Sequence, residues 1–210
     1  MRNNENGRSM VEMLGVLAII GVLSAGGLAG YSKAMFKHKL NSTMEQITMI
    51  VTNVRTAYGQ KGNYANIDLD KAKKLGAVPE TVTTNPFKGS IALAADKAKL
   101  GDAAVGTAFT LKYTGLPKEA CISLATADFG SGAGSGFIGV DAGGSTLDES
   151  TVYVGDVYNA GSPGNNKEPT DPQYVAPVAA KRGEGNAYSM AAAIAACKDS
   201  EQNTIIWKFY

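Results

Sequence analysis

Histidine occurs once in this chain, as His38, and cysteine twice, as Cys121 and Cys197. One histidine leaves almost no room for a Ser-His-Asp arrangement, and no G-x-S-x-G elbow is present. His38 lies in a basic run, where a histidine is usually solvated rather than a ligand. The two cysteines have no C-x-x-C spacing, which argues against a zinc site. Asp102, Asp128, Asp141, Asp148 and Asp156 are scattered, without the ladder of an EF-hand. The glycines of Phe129–Gly136 alternate and match neither the dinucleotide fingerprint nor a P-loop with its lysine. Charged residues make up only 19% of the chain and sum to +1, so no nucleic-acid footprint is visible. These absences point to a chain with no catalytic centre, no metal and no cofactor.

Charge is also missing from one long stretch. The 19 residues from Met13 to Tyr31 carry none, which is enough to cross a hydrocarbon core of ~30 Å as a helix. Glu12 sits at the entrance of that stretch, where a carboxylate drawn to the bilayer centre would cost roughly 2.5–3.5 kcal/mol. Glu12 could pair with Arg8 at i,i+4 on a helix surface. The segment could instead be an ordinary secretory signal, cleaved near Ser24, Ala25 and Gly26, or a plain signal anchor. The positive-inside count favours a cytoplasmic C-terminus, because Lys33, Lys37 and Lys39 outnumber Arg2 and Arg8 offset by Glu5. Large domains translocate largely regardless of such charge, so export of the C-terminal region is still expected.

Past Tyr31 the apolar positions Leu40, Met44, Ile47, Val51, Val54 and Tyr58 recur at spacings of four and three, the stripe of an amphipathic helix. Lys37, Asn41, Glu45, Gln46, Thr52 and Arg55 fill the other face, and Gly59 and Gly62 end it. One helix from Met10 to Tyr58 would be about 70 Å long. The glycines at 15, 21, 26, 27 and 30 weaken it by about 1 kcal/mol each relative to alanine. Beyond it, Asn66–Asp70 and Lys71–Leu75 read as a short capped helix and Asn85-Pro86-Phe87 as a turn. Strands are expected at Ser90–Ala95, Thr107–Thr114, Phe137–Asp141, Thr151–Val157 and Thr204–Phe209. Helical pieces are expected at Lys118–Thr126 and Tyr188–Cys197, and Ala160–Pro177 reads as a surface loop. The fold class is α+β. Beyond an export anchor, Cys121 and Cys197 read as a disulfide; in a cytosolic domain they would be two buried thiols.

The run Gly7-Arg8-Ser9-Met10-Val11-Glu12, followed by Met13–Leu23, resembles the class III signal of type IV prepilins. The resemblance implies that a prepilin peptidase cuts after Gly7, leaving Arg8 as an N-methylated first residue. It implies that Glu12, the fifth mature residue, meets the N-terminal amine of a neighbouring subunit. It also implies that Gly21, Gly26 and Gly27 let the helix lose its regularity on assembly. Asn85-Pro86-Phe87, Ala108–Tyr113, Gly115–Cys121 and the closing strand after Cys197 resemble the type IVb branch, which includes the toxin-coregulated and conjugative thin-pilus pilins. Arg8 departs from the usual apolar first residue, and the leader is shorter than in most of that branch. The implied architecture is a long N-terminal helix packed on an antiparallel sheet head with one disulfide. Its parts are a leader at 1–7, a membrane or filament-core half-helix at 8–31, an amphipathic half at 32–62 and a head at 63–210. The implied role is a non-enzymatic pilus subunit that starts in the inner membrane and forms a helical homo-oligomer, with the peptidase and an assembly platform as partners. The alternatives are a type II secretion pseudopilin, or an anchored or secreted binding domain that forms no filament.

Overall fold

The computed structural model describes residues 10–59, 63–96, 106–130, 136–142, 190–200 and 202–210. Gly7, Arg8, the expected strand Thr151–Val157 and the expected loop Ala160–Pro177 lie outside them, as do Asp102, Asp148 and Asp156. The described elements are α1 (Met10–Gly59), α2 (Leu69–Lys74), β1 (Ile91–Asp96), β2 (Ala108–Leu116), α3 (Lys118–Ala125), β3 (Phe137–Ala142), α4 (Met190–Ala196) and β4 (Asn203–Phe209). Residues 1–41 and 42–210 fall into two compact units.

In the second unit the strands form one antiparallel sheet in the order β1-β2-β4-β3. The last strand of the chain is therefore central, flanked by β2 and β3. Strand alternation places Phe109, Leu111 and Tyr113 of β2 on the same face as Ile205, Trp207 and Phe209 of β4, and all six are buried. The Tyr113 hydroxyl crosses from that face to α1 and donates to Gln46 Oε1 at 2.8 Å. Burial in α1 from residue 42 onward falls on Thr43, Ile47, Ile50, Val51, Val54 and Tyr58. The expected stripe holds at Ile47, Val51, Val54 and Tyr58. Its centre is turned toward Thr43 and Ile50, while Leu40 and Met44 are half-exposed. Gln46 likewise leaves the expected open face, because Tyr113 supplies a partner for its amide.

An unbroken series of ring contacts runs through this core. It passes from Tyr58 to Tyr64, Phe109, Phe209, Phe137, Phe129, Trp207 and Tyr113, with centroids 4.8–6.2 Å apart. Edge-on and tilted pairs of this kind add about 0.5–1.5 kcal/mol each beyond area burial. Burial pushes the Tyr113 hydroxyl pKa far above its ordinary value.

The opposite sheet face is also dry at one end. Asp96, which closes β1, and Lys208 of β4 form an ion pair at 3.0 Å with almost no exposed surface on either side chain. β2 lies between the two strands, so the pair reaches over it, past Thr110, the register partner of Lys208.

Two asparagines bind the connections. Asn85 is buried; its Oδ1 accepts from the amides of Phe87 and Gly89, and its Nδ2 donates to Thr114 O at 2.8 Å. The expected Asn-Pro-Phe turn is thereby pinned to the end of β2. A Cβ at Gly89 would land on the Thr114 carbonyl, so only glycine fits there. Asn203 accepts from Lys198 N and donates to the carbonyls of Lys198, Ser200 and Leu116, fastening the start of β4 to the turn before it. The expected second strand stops at Thr114, but β2 continues to Leu116. A register shift between Tyr113 and Leu116 lets it pass Gly115, whose φ of 68° suits glycine.

Cys121, in the first turn of α3, is bonded to Cys197, just past α4, with Cα atoms 5.9 Å apart. The disulfide reading of the two cysteines holds. The short capped helix appears as α2. Asp68 accepts from Lys71 N at 2.7 Å, and Gly76, at φ 73°, follows the helix end.

Candidate functional site: the exposed apolar face of the N-terminal helix

The first 26 or so residues of α1 are exposed over their whole circumference. Leu14, Val16, Leu17, Ile19, Ile20, Val22, Leu23 and Leu28 are each more than half exposed. Leaving a Leu or Ile side chain in water forgoes about 1.5–3 kcal/mol. A contiguous surface of this size marks a membrane or protein contact. The helix is long and apolar enough to cross a membrane, and none of its most apolar window is buried inside the chain.

Glu12 lies in the first turn of α1 and is exposed. A carboxylate there faces the positive end of the helix dipole, a favourable place worth about 0.3–1 kcal/mol. Apart from that field, the structure brings no other expected site residue to it; Gly7 and Arg8 lie outside the described residues.

The glycines supply the second feature. The helix runs without interruption through Gly15, Gly21, Gly26, Gly27 and Gly30. A Cβ built on any of them would meet nothing within 4 Å. Among the described residues no neighbour requires their small size. Gly136 in the head behaves differently: at φ 70°, it has the Arg55 guanidinium lying where its Cβ would be. Small residues on an apolar helix allow close approach of another helix.

Among the described residues no group of His, Cys, Asp or Glu is placed to hold a metal. A cleft of about 500 Å³ lined by Thr52, Arg55, Thr56, Tyr64, Thr107 and Tyr210 carries a single cation and hydroxyls. Arg55 stands over the Tyr210 ring, 6.0 Å from its centroid. The Asp96–Lys208 pair has little local signal in the sequence, a single charged residue closing one apolar run and interrupting another.

The comparisons with known proteins agree in one direction. The profile of the Bundlin family matches residues 33–209. The major structural subunit of bundle-forming pilus from Escherichia coli O127:H6 is 28% identical over 138 residues, 61% of this chain and 68% of that protein. The toxin coregulated pilin of Vibrio cholerae is 26% identical over 133 residues, 60% of this chain and 58% of that protein. A crystal structure of a type IVb pilin from Salmonella typhi covers 80% of this chain and 97% of its own, with 15% identity and a TM-score of 0.47. A crystal structure of a type IV pilin from Vibrio cholerae El Tor covers 82% and 99%, with 16% identity and a TM-score of 0.46.

Proposed function

Since the chain belongs to the Bundlin family and is a type IV pilin, a structural subunit of a pilus, we propose that it is made as a precursor held in the inner membrane by α1. A prepilin peptidase then cuts after Gly7, the new amine of Arg8 is methylated, and an assembly platform polymerises the subunit through the same helix. The observation that carries this reading is the all-round exposure of the apolar half of α1. Before assembly the bilayer covers that surface; afterwards neighbouring copies of the helix do.

In this reading Glu12 sets the stagger between subunits. Apolar packing is non-directional and permits several axial offsets. A carboxylate in an apolar bundle is stabilised where a positive group meets it, and the neighbour's N-terminal amine is a cation that the processed chain supplies there. Gly21, Gly26 and Gly27, with open space around them and poor helix propensity, are where the helix yields as subunits pack.

The test is Glu12→Leu in cells with no unmutated subunit. Processed protein is expected in the membrane at native amounts, with filaments absent by electron microscopy. Native filament yield would show that Glu12 has no assembly role. In parallel, Gly7→Val should leave full-length precursor in the membrane, and normal cleavage of that variant would end the class III reading.

A further inference from the structure

We propose that Lys33, Lys37 and Lys39, with His38, form a basic collar that docks the precursor onto anionic phospholipid headgroups and thereby fixes the depth of α1 in the bilayer. This rests on the membrane-held reading above.

The charge distribution along α1 is one-sided. No Asp or Glu occurs between Glu12 and Glu45, and all the lysines of that interval fall within residues 33–39. Lys33 and Lys37 are exposed and lie four residues apart, on one side of the helix. Neither has a carboxylate at the i±3 or i±4 positions where a helix would supply one: those places hold Ala29, Gly30, Phe36 and Lys37 around Lys33, and Lys33, Ala34, Leu40 and Asn41 around Lys37. A solvated helix surface normally interleaves both signs. Here one sign stands immediately beside an uncharged span.

The collar also stands at the right distance. The 19 uncharged residues from Met13 to Tyr31 rise roughly 28 Å as a helix, close to the ~30 Å of a hydrocarbon core. With the lysines at one headgroup layer, Glu12 falls at the other. Tyr31, exposed, and Phe36, half-exposed, bracket Lys33 where interfacial aromatics are found. Lysine stems can lie along apolar surface while the ammonium groups reach the phosphates. Near an anionic surface each lysine contributes about 1 kcal/mol, so two or three suffice to hold the helix against sliding. Slippage by one turn would carry Glu12 roughly 5 Å toward the hydrocarbon, which the collar opposes. The occupant is a bilayer rather than an acidic protein, because the cations adjoin the span that the bilayer already covers.

The experiment uses the full chain reconstituted at a fixed protein-to-lipid ratio in phosphatidylcholine vesicles, with and without phosphatidylglycerol. Association of spin-labelled phosphatidylglycerol with the protein is compared with that of spin-labelled phosphatidylcholine. The native chain is expected to prefer the anionic lipid about fivefold, the factor matching about 1 kcal/mol for one engaged lysine. The preference should disappear in Lys33→Gln/Lys37→Gln/Lys39→Gln and shrink at high salt. A native preference below about twofold, or one that survives in the triple variant, overturns the collar; the yardstick is again the contribution of a single lysine. Resistance to carbonate extraction is measured on the same vesicles. Release of the chain from both compositions would sink the membrane-held reading itself, whereas retention with no lipid preference would sink only the collar.

Discussion

Ile19 and Ile20 are more than half exposed, whereas Ile47 and Ile50, farther along the same helix, are fully buried. The glycines make the same contrast. Gly21, Gly26 and Gly27 have empty space around them, while Gly89, Gly115 and Gly136 have neighbours where a Cβ would go. Among the described residues of 42–210, the large apolar side chains are mostly buried against one another. Residues 10–35 leave theirs exposed. The same apolar content therefore contributes folding stability in one region and, under the proposed function, association in the other. Mutations in the two should be separable by what they change: the head's unfolding transition or the chain's assembly.

The largest effect is expected at the staple of the head. Cys121 and Cys197 are separated by 76 residues in the sequence, and constraining a loop of that length stabilises by about 4–5 kcal/mol in the chain-entropy model. Cys121→Ser/Cys197→Ser should lower the midpoint of denaturant unfolding by a corresponding amount. Fluorescence of Trp207, the only tryptophan and fully buried, reports it. An unchanged midpoint would mean that the head needs no covalent closure.

Next is the Asp96–Lys208 pair. Removing one partner, as in Lys208→Met, leaves a charge buried without its counterpart and should cost about 3–5 kcal/mol. The double variant Asp96→Leu/Lys208→Met should recover most of that loss. A loss in the double variant equal to the sum of the two single-variant losses would show that the pair is not coupled. A direct comparison of the two regions comes third. Ile50→Ala should cost about 2–5 kcal/mol in head unfolding and Ile20→Ala none. A lowered head midpoint in Ile20→Ala would break the contrast.

Local periodicity and turn chemistry carried much of the fold. The long helix, the short capped helix, the Asn-Pro-Phe turn and the strands near 91–96, 108–116, 137–142 and 203–209 are all visible in runs of ten residues or fewer or in helical spacing. What stayed hidden depends on distant partners. Asp96 falls just past the expected strand Ser90–Ala95 and Lys208 within the expected strand Thr204–Phe209; only the order β1-β2-β4-β3 brings them together. Gln46 looks like part of an open polar face until Tyr113 reaches it. Gly115 looks like a strand end until the shifted register carries β2 past it. In the first region the apolar run and Glu12 were legible because their meaning lies in composition. In the proposed assembly, their partners are other subunits.

The smallest effect concerns a single helix cap, and its pH dependence has a definite sign. Asp68 accepts from the backbone N–H of Lys71, and its other oxygen meets Lys71 Nζ at 2.9 Å. Those hydrogen bonds from Lys71 hold the Asp68 carboxyl below its ordinary pKa. The folded state thus favours the ionised form. The contribution is present above the unfolded value of about 3.9 and is lost as the pH falls through the lower folded value. The side chain is about half exposed, so solvent screens most of the ion-pair attraction and the cap hydrogen bond dominates. Asp68→Ala should then destabilise the head by about 1 kcal/mol at neutral pH. Asp68→Asn should cost less, because an amide oxygen still caps the helix. The gap between native and Asp68→Asn should close as the pH is lowered below the folded carboxyl's range. Denaturant midpoints of the three proteins at neutral and acidic pH would decide it, and an Asn variant as unstable as the Ala variant would assign the effect to charge rather than to the cap.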